Sequence, residues 1–359
     1  MKKISLLILI LSIYIGLSSE IKAIWVPVWD MNTPAKIDSI VADAVEHNIE
    51  HIIAQVRYRG DALYVPNLYS NKYFNPDRRS HLLENDGFDP LQYFLELTGK
   101  NNLKLHAWLP VYVVTPHNLE PLCEQHIYFR YPNLITVDFN RHVMRNDSYE
   151  GAYLDPGLPQ VNSYLFAVIM DLVSNYEIDG LHLDYVRYPD TNFGYHDIAR
   201  LRYATETEIM NAESWSLWKE QQINNFVRKI YINTKQVKPK LIVSAAVIDD
   251  LQRAREKYSQ NWKKWLDENY IDNVYLMAYT TSNARFEEIV DAASAYGYND
   301  RIIVGLRAWV SGNAGHYPSG QIIDKIKMTR ARNFAGFALF SYNGMKENGY
   351  FEGLRRILR

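Results

Sequence analysis

The chain has 359 residues, of which 47% are hydrophobic and 22% are charged, and its formal net charge is -2. This composition is ordinary for a globular protein with a large core, and the length would fit either one large barrel or two smaller domains. No long acidic or basic run is present, which argues against a partner such as nucleic acid or an anionic membrane and favours a neutral substrate.

The first 20 residues have the pattern of a secretory signal peptide. Lys2 and Lys3 precede an apolar run at residues 4–17, and small residues follow it. The run is shorter than the roughly twenty apolar residues that a membrane span needs. Cleavage near Ser19 or Ala23 and retention as an anchor both stay open. Because the only cysteine is Cys123, no disulfide framework is expected. We expect an exported protein, periplasmic or at the cell surface.

The first half of the remaining chain alternates between strand and helix patterns. Strands are predicted from the period-two patterns at residues 21–30, 51–58, 103–113 and from 178 onwards. Helices are predicted at residues 34–45, 88–98 and 165–176, where apolar residues recur every three or four positions. A loop of some forty residues follows the third strand and ends in Tyr153-Leu-Asp-Pro-Gly157. Since connections this long are usually functional, we expect it to wall a binding cleft.

The second half continues the alternation. Strands are predicted at residues 240–248, 271–280, 301–310 and 335–342, and helices at 215–237, 262–269, 285–296, 319–332 and 350–358. Eight strands alternating with eight helices predict one (β/α)8 TIM barrel with long βα loops, occupying residues 21–359. The alternative is an open doubly wound sheet, but no G-x-G-x-x-G follows the first strand.

The fourth predicted strand ends in an acidic residue. Leu181 and Leu183 fall on one face, towards the helices, while His182 and Asp184 fall on the other. A carboxylate at the C-terminal end of a barrel strand is where such folds place chemistry, so Asp184 is the first catalytic candidate. The structural alternative is a buried ion pair with Arg187 or another arginine. For His182, a hydrogen-bonded core residue is a simpler interpretation than a proton shuttle.

The other residues expected at the barrel mouth are inward-facing residues near the ends of the predicted strands and residues just beyond those ends or in loops. Those predicted to bind substrate are Arg57, Trp108, Arg187, Tyr279, Arg307, Trp309 and Tyr342. The predicted partner of Asp184 is Asp249, with Asp30, Asp155 and Asp250 left open. Each aromatic residue could instead pack in the core, and Asp155 could be a turn residue.

Carboxylates, arginines and aromatic side chains are what glycoside cleavage requires. One carboxyl protonates the leaving oxygen, and the other attacks the anomeric carbon or activates water. The histidines form no H-x-H or H-E-x-x-H motif, and no G-x-S-x-G is present. We therefore expect no metal site, no cofactor and no serine nucleophile.

These residues carry a resemblance to a known family. The segment Asp179-Gly-Leu-His-Leu-Asp-Tyr-Val-Arg-Tyr-Pro189 resembles the glycosyl hydrolase-like family 10. Four further segments also resemble it, and they occur along this chain in the order found in the family. They are Leu105-His-Ala-Trp108, Tyr153-Leu-Asp-Pro-Gly157, Gln260-Asn-Trp262 and Met277-Ala-Tyr-Thr280. The resemblance implies a barrel glycosidase of the bacterial envelope, some members of the family acting on peptidoglycan glycan strands. It places Asp184 on the strand-four acid and does not fix the second carboxyl.

The expected function is therefore an exported glycoside hydrolase that cleaves an envelope glycan, with peptidoglycan glycan strands as the first choice of substrate. Chitinase-like family 18 is less similar, because Val186 stands where that family's D-x-x-D-x-D-x-E pattern has glutamate. Two alternatives stay open, namely a catalytically silent glycan-binding barrel and a hydrolase of another exopolysaccharide.

Overall fold

The computed structural model describes residues 20–69, 72–83, 85, 87–310 and 317–359. Within them, eight parallel strands form a closed barrel in chain order, and the eighth pairs with the first. The strands are β1 (Ile21–Val26), β2 (His51–Gln55), β3 (Lys104–Pro110), β4 (Gly180–Asp184), β5 (Ile242–Val247), β6 (Asn273–Ala278), β7 (Ile302–Arg307) and β8 (Gly336–Phe340). The predicted (β/α)8 barrel is confirmed.

Helices connect the strands and cover the outside of the barrel. They are α1 (Pro34–Glu46), α2 (Pro90–Lys100), α3 (Ile127–Arg130), α4 (Pro159–Asn175), α5 (Asp197–Glu206), α6 (Ala212–Val237), α7 (Leu251–Tyr258), α8 (Trp262–Asp267), α9 (Asn283–Ser294), α10 (Ser319–Ala331), α11 (Tyr342–Glu347) and α12 (Tyr350–Leu358). Short 3-10 helices occur at Val28–Asp30, Pro132–Leu134 and Asn299–Arg301. All eight predicted helices are present, whereas α3, α5, α7 and α11 were not predicted.

The first two strands are shorter than predicted. Strand β1 ends at Val26 because Pro27 has no N–H to continue the ladder, and residues 28–30 turn into a 3-10 helix. Strand β2 ends at Gln55. The next two residues form a short strand, Arg57–Tyr58, that pairs with Asp61–Ala62 outside the barrel. This departure from the barrel changes where the Arg57 side chain points.

The strand side chains divide into two cores, as the alternation predicts. The inward side chains form a small core inside the barrel that includes Trp25, Trp108 and Tyr275. The outward side chains, among them Leu181 and Leu183, belong to the larger core between the sheet and the helices. Since both faces of a parallel sheet are buried, register is fixed on each strand. His106 pairs with Gly180, Trp108 with His182 and Pro110 with Asp184.

The long loop after β3 is ordered against the ends of the strands. Isolated bridges join Val113 to Tyr153, Ile135 to Leu154, and Val137 to Val143. A fourth bridge joins Asp138 to Phe193 in the loop after β4. The loop therefore forms a fixed wall beside the C-terminal ends of β3 and β4.

The N-terminal signal prediction concerns residues 1–20, which lie outside the described residues except for Glu20. Among the helices that the structure describes, none has the length and apolar content required to cross a bilayer. Cys123 is exposed on the loop after β3.

We expect Gly180→Ala to destabilise the barrel. Gly180 faces inward on β4, and a Cβ atom there would lie 2.0 Å from Nδ1 of His106 on the neighbouring strand. His106 cannot easily move, because its Nε2 is hydrogen-bonded to His51 Nδ1 at 2.9 Å. Overpacking of this kind costs about 1–3 kcal/mol of unfolding free energy, which denaturant titration would measure.

Gly99→Ala is the matched control for this substitution. Gly99 lies in α2, and beyond the backbone of its own helix no heavy atom lies within 4 Å of where a Cβ would stand. The change should therefore leave stability equal or raise it by up to about 1 kcal/mol. Equal effects of the two substitutions would contradict the close contact between β3 and β4.

Candidate active site

The C-terminal ends of the eight strands enclose a cavity of about 500 Å³, which we call the mouth. Each strand contributes at least one residue, which lies among its last three residues or no more than two residues beyond its end. The strand residues that line the mouth are Trp25, Pro27, Gln55, Trp108, Pro110, Asp184, Ala246, Ile248, Met277, Tyr279, Trp309 and Phe340. Loop residues complete it, namely Trp29, Tyr58, Arg59, Glu150, Tyr185, Arg187 and Tyr258.

Asp184 is a half-buried carboxyl at the end of β4. Its Oδ2 accepts a hydrogen bond from Trp108 Nε1 at 3.0 Å, and its Oδ1 accepts one from the backbone N–H of Tyr185 at 2.7 Å. Burial raises the pKa of Asp184 to about 6, and the negative charge of Glu150 acts in the same direction. The hydrogen bonds and the Arg187 charge oppose this rise without cancelling it.

Glu150 is the second carboxylate of the mouth, and it comes from the long loop after β3. Its Oε1 accepts from Arg187 Nη2 at 2.9 Å, and its Oε2 accepts from the Tyr153 hydroxyl at 3.2 Å. Burial alone would raise the pKa of Glu150, but the charge and hydrogen bond of Arg187 outweigh it, so the pKa is lowered. Asp184 and Glu150 thus have pKa values displaced in opposite directions.

The backbone around Glu150 is tightly constrained. Gly151 has φ +131°, and a Cβ there would lie 1.9 Å from the carbonyl oxygen of Thr115, so only glycine fits. On the other side, Tyr149 has φ 52° and donates its hydroxyl to the buried carboxylate of Asp190. These contacts fix the direction in which the Glu150 side chain leaves the loop.

Arg187 links the two loops that form this side of the mouth. Its guanidinium is buried, donates to Glu150 and lies over the rings of Tyr153, Tyr185 and Tyr258, with 4.7 Å to the nearest ring centroid. The sequence left open an ion pair between Arg187 and Asp184. The structure shows instead an ion pair between Arg187 and Glu150, and it places Arg187 at the mouth as predicted.

Aromatic rings line most of the remaining surface. Trp108, Tyr279 and Trp309 line the mouth as predicted, and Tyr279 meets Trp309 edge to face at 5.3 Å. The alternation along the first strand did not predict Trp29, which also lines the mouth. Its side chain is 50% exposed at the rim and packs edge to face on Tyr58, with 5.7 Å between the ring centroids. Flat rings of this kind offer stacking surfaces for the apolar faces of sugars.

His182 is a buried, neutral residue beneath the mouth. Trp25 Nε1 can only donate, so Nε2 of His182 accepts this bond at 3.2 Å and Nδ1–H donates to Ser244 Oγ at 2.9 Å. Burial lowers the pKa of His182 to about 3. The structure therefore fits the interpretation of His182 as a core residue.

The prediction that Arg57 points into the mouth is wrong. The chain leaves the barrel after Gln55, and the Arg57 guanidinium is buried against Asp77 at 2.7 Å, the Pro110 carbonyl at 2.7 Å and the Tyr164 hydroxyl at 3.0 Å. It therefore fixes the loop after β2 to β3 and α4.

Two other residues predicted to bind substrate do not line the mouth. Arg307 Nε donates to the Trp309 carbonyl at 3.0 Å, and its guanidinium lies 4.6 Å from the centre of the Trp309 ring, which does line the mouth. Tyr342 lies past the end of β8, at the start of α11, where its hydroxyl donates to Asp43 at 2.7 Å. Phe340 occupies the inward position at the end of that strand.

The predicted second carboxyl, Asp249, is not brought to the mouth. It forms an ion pair with Arg253 in the first turn of α7. None of the three alternatives lines the mouth either. Asp250 caps α7, Asp155 is buried and accepts from Thr136 Oγ1 and Gly157 N, and Asp30 ends the 3-10 helix after β1. Glu150 takes the place that the sequence assigned to these residues.

A larger cleft of about 820 Å³ lies between α5 and the start of α6, and we call it the α5–α6 cleft. Its lining includes Tyr195, Leu201 and Trp215. Asp197, the one acid among the described lining residues, is paired with Arg141. In the part of the chain that the structure describes, no group of three or more His, Cys, Asp or Glu residues could hold a metal ion. The pair of carboxylates with separated pKa values makes the mouth the candidate active site.

We expect Trp108→Phe to raise the pKa of Asp184 by about one unit. The substitution keeps an aromatic ring and removes the N–H that stabilises the ionised carboxylate, and a hydrogen bond to a charged group is worth about 1.5–3 kcal/mol. Carboxyl-carbon NMR titration, with the signal assigned through Asp184→Asn, would measure the change. Trp215→Phe, in the α5–α6 cleft, should leave this pKa unchanged. An unchanged pKa in Trp108→Phe would show that the hydrogen bond is not formed.

The fold and the chain have relatives among known proteins. The structure is similar to the PgaB (BpsB) glycoside hydrolase domain from Bordetella bronchiseptica, with a TM-score of 0.71 and 15% identity over 94% of this chain and 98% of that one. At this identity the likeness shows the fold alone.

Two curated relatives are glycosyl hydrolase YngK of Bacillus subtilis and glycosyl hydrolase DigH of Escherichia coli O6:H1. The first is 25% identical over 61% of this chain and 43% of its own length, and the second is 24% identical over 57% and 50%. The chain thus spans half of these relatives' length or less. The family model for glycosyl hydrolase-like 10 matches residues 20–323, and the chain therefore belongs to the glycosyl hydrolase-like 10 family.

Proposed function

We propose that this protein hydrolyses O-glycosidic bonds, with Asp184 as the general acid and Glu150 as the ionised carboxylate. The observation that carries the proposal is the opposite displacement of the two pKa values in one cavity. A pair of carboxyls with these properties is what both retaining and inverting glycosidases use. Membership of the family and the glycosyl hydrolase names of the relatives support the same reaction.

Asp184 is suited to the role of proton donor. With a pKa of about 6, much of it is protonated in mildly acidic solution, while it keeps enough acidity to give up the proton. In the proposed step the Asp184 proton passes to the glycosidic oxygen as the bond from that oxygen to the anomeric carbon breaks. The Trp108 and Tyr185 hydrogen bonds then stabilise the carboxylate that is left.

Glu150 is suited to act on the anomeric carbon. Arg187 and Tyr153 keep it ionised, so its negative charge opposes the positive charge that develops on the sugar ring. It either bonds to the anomeric carbon or takes a proton from the water that does so. If Glu150 bonds to the anomeric carbon, Asp184 then takes a proton from the water that breaks that bond and is protonated again. If Glu150 instead takes the proton from water, Glu150 ends the step protonated and Asp184 ionised, and proton exchange with solvent restores both. One water is consumed in either route.

For the substrate, we propose a glycan of the bacterial envelope, with peptidoglycan glycan strands as the first choice. The aromatic lining of the mouth suits a chain of sugar rings, and the motifs around Asp184 resemble those of a family in which some members act on such strands. Export through the segment at residues 1–20 belongs to the same proposal. Release of soluble sugars from glycan strands stripped of peptides, compared with other exopolysaccharides, would test the choice.

We expect the pH dependence of kcat/KM, which reports the ionisation of groups in the free enzyme, to be bell-shaped. Asp184 must carry a proton, so the rate should fall as pH rises through about 6. Glu150 must be ionised, so the rate should also fall on the acid side, below the ordinary range of a glutamate because its pKa is lowered. In Glu150→Gln the loss of negative charge lowers the pKa of Asp184, so the alkaline limb of the residual activity should move to lower pH.

We expect Asp184→Asn and Glu150→Gln each to lower kcat by about 100-fold to 10,000-fold, the usual contribution of acid–base catalysis. Asp249→Asn makes the same chemical change outside the mouth and should stay within about twofold of the wild type. A wild-type rate in Asp184→Asn, or equal losses in Asp184→Asn and Asp249→Asn, would contradict the proposal. If the wild type binds glycan strands but releases no sugar from any glycan tested, the protein is a binding barrel instead.

A further inference from the structure

We infer that Arg59 forms a subsite for a carboxylate carried by the substrate, so that this hydrolase prefers a glycan with acidic sugars. The inference rests on the proposed function, since it names the kind of sugar that the mouth accepts. It is carried by the partners of the arginines around the mouth, by the position of Arg59 and by the balance of charge.

Two arginines near Arg59 have carboxylate partners. Arg57 is paired with Asp77 at 2.7 Å, and Arg187 with Glu150 at 2.9 Å. Arg59 differs from both. Within the ranges that the structure describes, no carboxylate oxygen lies within 4 Å of its guanidinium, which makes one hydrogen bond there, from Nη1 to the Thr115 carbonyl at 3.0 Å. A guanidinium has five N–H donors, so most of its donors are left for another acceptor.

Arg59 is half-buried and faces the mouth. Its charge partly offsets the rise that burial causes in the pKa of Tyr58 and of Tyr185, two other lining residues. Its Nη1 lies 2.9 Å from the position that a Cβ of Gly151 would occupy, next to Glu150. A carboxylate bound by Arg59 would therefore lie on the Glu150 side of the mouth, beside the bond to be cleaved.

The backbone of Arg59 is fixed in place. It has φ 51°, and its carbonyl accepts from Nε2–H of the buried His126 at 3.0 Å, while Nδ1 of the same ring accepts from Tyr128 N at 3.2 Å. The next residue is Gly60, where a Cβ would lie 2.6 Å from His126 Nε2. Because the backbone is already held by contacts outside the mouth, only the Arg59 side chain has to become ordered when the guanidinium binds a ligand. This lowers the entropic cost of binding.

The charges that line the mouth do not balance in the reactive state. The described lining residues carry two cations, Arg59 and Arg187, and two acids, Asp184 and Glu150. Arg187 and Glu150 neutralise each other, and a protonated Asp184 carries no charge. Among the residues that the structure describes, the positive charge of Arg59 then has no counter-ion in this partly buried cavity, where a bidentate carboxylate is its best partner.

Two kinds of sugar would supply this group. A uronic acid carries the carboxylate on its ring, and an amino sugar with a lactyl ether carries it on a side arm. Both present a planar carboxylate to the guanidinium. Methyl esterification removes the charge from either with little change in shape, so each free acid and its methyl ester form a matched pair of substrates.

The test compares kcat/KM for oligosaccharides of both kinds, each as free acid and as methyl ester. For wild type we expect the free acid of at least one kind to be cleaved about tenfold or more faster than its ester, from the strength of charge-assisted hydrogen bonds. In Arg59→Gln this ratio should fall to about one, and Arg59→Lys should restore part of it. Arg141→Gln, an exposed arginine of the α5–α6 cleft, should keep the wild-type ratio.

Binding to the inactive Asp184→Asn protein, with and without Arg59→Gln, separates this inference from the proposed function. Cleavage by wild type without preference for the free acid, or an equal preference in wild type and Arg59→Gln, overturns the inference and leaves the function standing. Preferential binding of the free acid that is lost in the double variant, with no cleavage by wild type, supports the subsite and overturns the function. Absence of both binding and cleavage overturns both.

Discussion

The hydrogen bond from Trp108 to Asp184 is the contact on which the candidate active site depends. It joins inward-facing residues at the ends of adjacent strands, and it forms because β3 and β4 pair in one register along their whole length. A slip of one residue in either strand would turn the side chain of that strand towards the helices and break the bond. The bond holds the Asp184 carboxyl in a partly buried position, and this burial gives Asp184 a pKa near the pH at which an acid catalyst must work.

The second half of the site is built differently. Glu150 comes from a loop and is positioned by contacts that lie far apart in sequence, including Arg187 in the loop after β4 and the Thr115 carbonyl that excludes any side chain at Gly151. The rigid barrel therefore presents the acid, and a loop braced against it presents the ionised carboxylate. This division follows the general pattern of barrel enzymes, in which strand ends and βα loops share the chemistry.

The barrel and the strand-borne half of the site could be predicted from the sequence, because burial on both faces imposes an alternation that is visible along each strand. That alternation placed Asp184, Trp108 and Tyr279 in the mouth. It failed where the chain leaves the barrel. The alternation was extended past Gln55 and so wrongly predicted that Arg57 points inward. In the structure the Arg57–Tyr58 strand pairs outside the barrel.

The loop-borne half could not be predicted in this way. A loop has no periodicity, so the sequence offered strand-end acids such as Asp249 and missed both Glu150 and Arg59. The one local signal is that Glu150 stands between Tyr149 and Gly151, just ahead of the Tyr153-Leu-Asp-Pro-Gly157 motif. Gly151 must be a glycine because it has φ +131° and because the Thr115 carbonyl leaves no room for a Cβ atom. Thr115 is distant in sequence, so this requirement can be recognised only from the structure.

A crystal structure of Asp184→Asn with a bound glycan oligosaccharide tests the central claim most directly. The pairing of Asp184 with Glu150 predicts that an intact glycosidic oxygen lies about 3 Å from the side chain of residue 184, with the adjoining anomeric carbon facing Glu150. An oligosaccharide bound in the α5–α6 cleft alone, or with its glycosidic oxygens out of reach of residue 184, would contradict it.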